Sequence, residues 1–196
     1  MSVKLQIPYS SGIFFITFTN ARWIPLFQIT DSYDSVYSFF DYLKSKGNFI
    51  NAYVIMPEHV HALIAFRKTE KSINKIIGDG KRFMTYEIVN RLKANNQIDL
   101  LMKLSSFVTK GDAQRGKKHE AFEPSFDWKL CESIDFIQQK LDYIHRNPVK
   151  YKRPLCSKPE EYPYSSATNY VGASKNDYEI VSVYDMLNIN LDTYTP

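Results

Sequence analysis

A chain of 196 residues with 44% hydrophobic and 15% aromatic residues can bury a sizeable core, which excludes a disordered protein and fits one domain with extensions. Its two cysteines, Cys131 and Cys156, have neither CxxC nor CxxH context, so no disulfide framework or zinc ribbon is indicated and a reducing cytoplasm is the expected home. The net charge of +4 is uneven: residues 67–118 carry thirteen Lys or Arg against five Asp or Glu, whereas residues 155–196 carry two against six, so the basic charge is concentrated in the middle of the chain, where it can attract nucleic-acid phosphates or equally be the solvated surface of an ordinary helix.

The opening residues lack the basic segment, apolar stretch and cleavage site of a signal peptide, and no run approaches the roughly 20 apolar residues that span a bilayer. GIFFITFT, residues 12–19, reads as a largely buried central strand. In SVYSFFDYLKS, Val36, Phe39, Phe40 and Leu43 follow helical spacing, with Gly47 as the stop. FINAYVIM and HVHALIAF then form a hairpin that turns at Pro57 and Glu58. Residues 71–93 read as a helix in which Gly78 and Gly80 mark a break or a late start, and residues 94–120 as a mobile basic connection. AFEPSFDW, residues 121–128, is expected to be an edge or bulged strand because of Pro124.

The last helix is expected to start at an N-cap, Ser133, and to end near Asn147, where Pro148 stops it. Ile134, Ile137, Leu141 and Ile144 make its apolar stripe, which leaves Tyr143 on another face with Phe136, Gln139 and Lys140. The remaining tail should wrap the surface. Strand, helix, strand, strand, helix, strand, helix is the order of a ferredoxin-like (RRM-like) α+β fold, with helices on one face of an antiparallel sheet and the opposite face free to bind.

Two constellations carry chemistry. His59 and His61 alternate on a strand, so both imidazoles leave the same face and form a two-pronged clamp that still needs a third ligand. His119 and His145 are candidates for a zinc site, whereas the neutral oxygen of Asn147 favours a labile hard ion such as magnesium or manganese. Tyr143 and Asn147 lie one turn apart on the late helix, so an ion held by Asn147 would stand beside the phenol. Fourteen tyrosines make any single one suspect, and Tyr86 in its basic helix is the rival. Tyr162, Tyr164 and Tyr170 are expected to pack onto the sheet in preference to stacking on bases.

The combination of MPEHVHALI, YIHRNPVK and PEEYPYSSATNY resembles the single-tyrosine HUH transposases, in particular the branch associated with repetitive extragenic palindromes (REP), over residues 12–172. The resemblance implies His59, His61 and Asn147 as ligands of magnesium or manganese, Tyr143 as nucleophile, and recognition of single-stranded DNA near a hairpin. Residues 1–150 would form the catalytic domain and 151–196 an extension packed on it. Dimeric relatives exchange the tyrosine helix between subunits, so a homodimer belongs among the expectations.

The function expected is that of a transposase-like DNA nickase and strand transferase working through a 5′-phosphotyrosine intermediate. Lys81, Arg82, Lys117, Lys118, Arg146 and Lys150 are the candidate phosphate contacts, and Glu58 a candidate for orienting a histidine. Two other classes share these features. A noncatalytic single-stranded DNA or RNA binding module would use the same sheet, and a metal-dependent phosphodiesterase would activate water in place of the tyrosine.

Overall fold

A computed structural model describes residues 6–68, 70–172, 178–186 and 191. Four strands, β1 (Gly12–Thr19), β2 (Phe49–Ile55), β3 (His59–Phe66) and β4 (Asp127–Leu130), form one antiparallel sheet in the order β2-β3-β1-β4. This is the expected α+β sheet. Helices α1 (Leu26–Thr30) and α2 (Tyr33–Ser45) join β1 to β2, and α3 (Ile73–Ala94), α4 (Ile98–Ser106) and α5 (Lys110–Gln114) lie between β3 and β4. After β4 come α6 (Ile134–Arg146), α7 (Ala167–Val171) and α8 (Val183–Met186). No described helix is long and apolar enough to cross a membrane.

Strand alternation sorts the apolar residues into two cores. Phe14, Ile16 and Phe18 of β1 and Val60, Ala62, Ile64 and Phe66 of β3 pack with Val36, Phe40 and Leu43 of α2 and Ile77, Met84, Ile88 and Leu92 of α3. The β2–β3 register slips between Ile50 and Ala52, a bulge that lets Ile50 and Tyr53, three positions apart, both join this core. The opposite face is not free. There Phe15, Ala52, Val54 and Leu63 receive Ile137, Leu141 and Ile144 of α6, so the last helix leaves the other helices and covers part of the histidine face. Ile134, expected in that stripe, is exposed at the first turn of the helix.

Two further expectations need correction. Residues 94–120 contain α4 and α5: Leu101 and Leu104 are buried, Leu104 completely, and Thr109 caps α5 by accepting the Asp112 backbone N–H. Nor do Gly78 and Gly80 interrupt α3, which is continuous for 22 residues. Gly80 admits the neighbouring helix, since a Cβ there would stand 2.4 to 2.7 Å from three ring atoms of the buried Phe39, whereas a Cβ on Gly78 would meet nothing within 4 Å. The two positions should respond oppositely to alanine. Gly78→Ala gains about 1 kcal/mol of helix propensity, while Gly80→Ala adds overpacking of about 1–3 kcal/mol that outweighs the same gain. Urea denaturation midpoints should rise for the first and fall for the second; a rise for both would mean that Phe39 moves aside without penalty.

Beyond α6 the chain covers the exposed edge of β2. Ile55 N–H donates to Tyr164 C=O at 2.8 Å, Ser166 N–H to Tyr53 C=O at 3.0 Å and Val181 N–H to Ile50 C=O at 3.0 Å, which occupies an edge that would otherwise invite pairing with other chains. Tyr162 donates to Ile55 C=O, Tyr170 donates to Asn51 C=O, and Tyr164 stacks on Tyr33 with ring centroids 3.6 Å apart. The tail tyrosines thus serve the fold.

Candidate active site

The β1–β3 register sets Thr19 opposite His59 and Thr17 opposite His61, and turns both imidazoles toward the face that α6 covers. Their ring centroids are 4.6 Å apart and each residue is 6% exposed. Thr17 Oγ1 lies 2.7 Å from His61 Nδ1, and Glu58 Oε1 lies 3.1 Å from His59 Nδ1. Because a carboxylate only accepts, the second contact selects the tautomer with hydrogen on Nδ1 and leaves the Nε2 lone pair of His59 available. Glu58, buried at the hairpin turn, is itself held by the Tyr151 hydroxyl, which donates to Oε2 at 2.8 Å. These two contacts make Glu58 an orienting group.

Phe15 stacks on His61 at 5.5 Å with planes 19° apart, and the Tyr143 ring stands edge-on to both, 5.1 Å from His61 and 5.8 Å from Phe15. The three buried anchors of α6 fix this placement, and Ser133 starts the helix by accepting the Phe136 backbone N–H. Tyr143 remains 50% exposed and lines a cavity of about 850 Å³. Lys140 places its ammonium 4.8 Å from the Phe136 centroid, 5.1 Å from Phe15 and 5.9 Å from Tyr143. Burial, then the nearby His59 and Lys140, hold His61 well below the ordinary histidine range, so it is neutral at pH 7.

Asn147 lines the same cavity as His59, His61 and Tyr143, together with Arg146 and Lys150. Its backbone stays helical despite Pro148, which keeps its side chain in phase with Tyr143 one turn earlier. The tyrosine and both histidines therefore meet within a single chain. Trp23, Tyr151 and Lys152 complete the wall. None of these three stands out in the sequence: Tyr151 is hidden among many tyrosines, and Trp23 follows β1 in a turn without a motif.

The donor set fits a labile divalent cation. Among the described residues no three His, Cys, Asp or Glu side chains form a metal-holding cluster, so a third protein ligand beside the two imidazoles must be of another kind, such as the Asn147 carboxamide. Both Nδ1 atoms are engaged by neighbours, an arrangement that orients ligating histidines in metal sites. His119 and His145 do not join them. His119 lines a different cleft, and His145 bonds Ser166 Oγ at 2.9 Å, with burial pushing its pKa down to about 4.

The remaining candidates gather in that second cleft, of about 730 Å³, between α3 and residues 112–124. Lys81, Arg82, Lys117 and Lys118 line it, as does Tyr86, the rival nucleophile, which is absent from the histidine cavity. Lys81 must be withdrawn as a phosphate contact. It is buried, and its ammonium donates to the carbonyls of Glu123, Pro124 and Ser125 at 2.6, 3.2 and 3.3 Å, pinning the loop that leads to β4. Arg82 lies 3.4 Å from Asp79 and Lys117 2.5 Å from Glu120, so part of their charge is already answered.

No protein-family model and no curated protein matches the sequence. Among solved structures, a REP-associated tyrosine transposase bound to a REP hairpin aligns over 100% of this chain and 99% of its own, at 18% identity and a TM-score of 0.60. The chain shares the fold of that structure. A putative transposase from Deinococcus radiodurans aligns over 72% of this chain and 95% of its own, at 16% identity and a TM-score of only 0.36.

Proposed function

We propose that the protein is a transposase-like nickase and strand transferase acting on single-stranded or hairpin DNA. The observation that carries this reading is the half-exposed side chain of Tyr143 standing 5.1 Å from the buried His61 ring in a cavity shared with Asn147 and three cations, Arg146, Lys150 and Lys152. A buried histidine pair of purely structural use would need no accessible tyrosine above it, and a nucleic-acid binding sheet would need no oriented imidazoles. The structural neighbour's hairpin ligand makes a hairpin the reasonable substrate to try first.

In the reaction, the Tyr143 oxygen bonds to phosphorus as the bond from phosphorus to the 3′-oxygen breaks. The phenol gives up its proton, the leaving 3′-oxygen takes one up, and the products are a 5′-phosphotyrosine and a free 3′-hydroxyl. A second 3′-hydroxyl can then attack the same phosphorus and release the tyrosine, so strands rejoin without ATP. Magnesium or manganese held by His59, His61 and Asn147 would supply charge neutralisation at the scissile phosphate. Arg146 and Lys150 hold flanking phosphates, with Arg82, Lys117 and Lys118 available to more distant DNA. Glu58 and Thr17 keep the imidazoles in register.

Incubation with an end-labelled hairpin oligonucleotide and manganese should yield a protein–DNA adduct that survives denaturation, together with a strand whose new 3′ end a polymerase can extend. Chelation with EDTA should abolish both. Cleavage with no adduct would instead support a phosphodiesterase, and retention of DNA without cleavage a binding module.

A further inference from the structure

Trp23 is the most exposed large apolar side chain among the described residues, at 63%, and it stands at the wall of the candidate active site. An indole carries enough apolar surface that a folded chain normally buries most of it. Here the ring touches His59 edge-on, with centroids 5.6 Å apart and planes at 65°, and most of its surface stays open to the cavity.

The backbone that presents it is unusual. Arg22 and Trp23 are both in the left-handed region, with φ of 54° and 57°, where residues bearing a Cβ are uncommon and consecutive ones more so. The surroundings enforce this turn. Asn20 N–H donates to Glu58 C=O at 2.7 Å, Ala21 N–H to Ala121 C=O at 2.9 Å, and Arg22 N–H to the Glu123 carboxylate at 2.8 Å. Glu58 thus orients His59 through its side chain and the Trp23 turn through its carbonyl. The loop carrying Glu123 is in turn pinned by Lys81. A strained turn held from three sides, whose effect is to lift an indole out of the core and set it beside the candidate catalytic histidines, is more than packing requires.

Resting on the function proposed above, we infer that Trp23 is a stacking platform for a nucleobase adjoining the scissile phosphate. A base and an indole are both planar aromatic surfaces, and Arg146, Lys150 and Lys152 line the same cavity to receive the phosphates on either side. An aromatic face beside a row of cations suits a single strand and not a duplex, whose bases are already stacked. The platform makes the site read bases as well as backbone and holds the unpaired nucleotide in place while Tyr143 attacks.

The test needs no cleavage. Binding is measured by fluorescence anisotropy, without divalent ion, to two labelled strands of about 20 nucleotides, one of mixed sequence and one with the same phosphates but no bases. Wild type should prefer the strand with bases. Trp23→Ala should weaken that strand by about 10-fold or more and leave the abasic strand unchanged, whereas Trp23→Phe should keep most of the preference. In a Trp128→Phe background, the remaining fluorescence of Trp23 should be quenched by the mixed strand and not by the abasic one.

Equal losses on both strands would reduce Trp23 to support for His59, and no loss on either would end the proposal. Failure of wild type to prefer bases would do the same. Adduct formation is read separately, with manganese present, so failure of the platform and failure of the tyrosine chemistry appear in different experiments.

Discussion

Tyr143→Phe is expected to bind hairpin DNA as tightly as the wild type and to cleave it about 10³-fold more slowly or worse, with no covalent adduct. The substitution removes one oxygen and keeps the ring, so the edge-on contacts with Phe15 and His61 and the approach of Lys140 survive. The side chain is half exposed, and the α6 anchors Ile137, Leu141 and Ile144 are untouched, so stability should not change measurably. Loss therefore falls on the chemical step and is read in single-turnover rates with binding measured separately. Normal cleavage by this variant without a protein-linked product would show that water attacks, and normal adduct formation would move the nucleophile to another tyrosine.

The histidine pair gives the second large effect. His61→Asn removes one of two imidazoles from the candidate ion site, and Mn²⁺ binding followed by calorimetry should become undetectable while cleavage falls by more than about 100-fold. Thr17→Val is the graded companion. It leaves the imidazole and deletes only the group 2.7 Å from Nδ1, so affinity for the ion should drop by about 10-fold to 100-fold, the usual effect of releasing a ligating ring from its partner. Tyr143→Phe should hold Mn²⁺ like the wild type. Unchanged Mn²⁺ binding in His61→Asn would separate the histidines from any ion, and the HxH strand would then be a packing feature.

Much of the fold follows from local pattern. The alternation in β3, the apolar run of β1 and the Ser133 cap determine the hairpin, the central strand and the start of α6, and these elements place His59, His61 and Tyr143. What could not be read depends on residues far apart in the chain. The stripe of α6 shows that the helix buries one side, but only Ala52, Val54, Leu63 and Phe15 decide that it does so on the histidine face. Gly80 looks like a helix breaker because the pattern of α3 does not contain Phe39. Lys81 counts as a free charge until carbonyls more than forty residues away surround it. The helices between 94 and 120 escape notice because so few of their residues reach the core, chiefly Leu101 and Leu104. Trp23 is concealed for a different reason. A left-handed turn enforced by Glu58, Ala121 and Glu123 has no sequence signature without glycine.

The candidate site shows the same division. The two motifs contain the atoms that would do chemistry, while the groups that aim them are scattered. Thr17 comes from the paired strand, Tyr151 lies beyond Pro148, and the Glu58–Tyr151 hydrogen bond spans more than ninety residues of chain. Such partners become visible only when register and helix placement are known.

The most direct test of the central claim is to trap the adduct formed with a hairpin oligonucleotide and manganese, digest protein and DNA, and locate the residual nucleotide mass by tandem mass spectrometry. The nucleotide should be found on Tyr143, through its phenolic oxygen. Its presence on Tyr86 or any other residue, or strand cleavage with no modified peptide at all, would contradict the account.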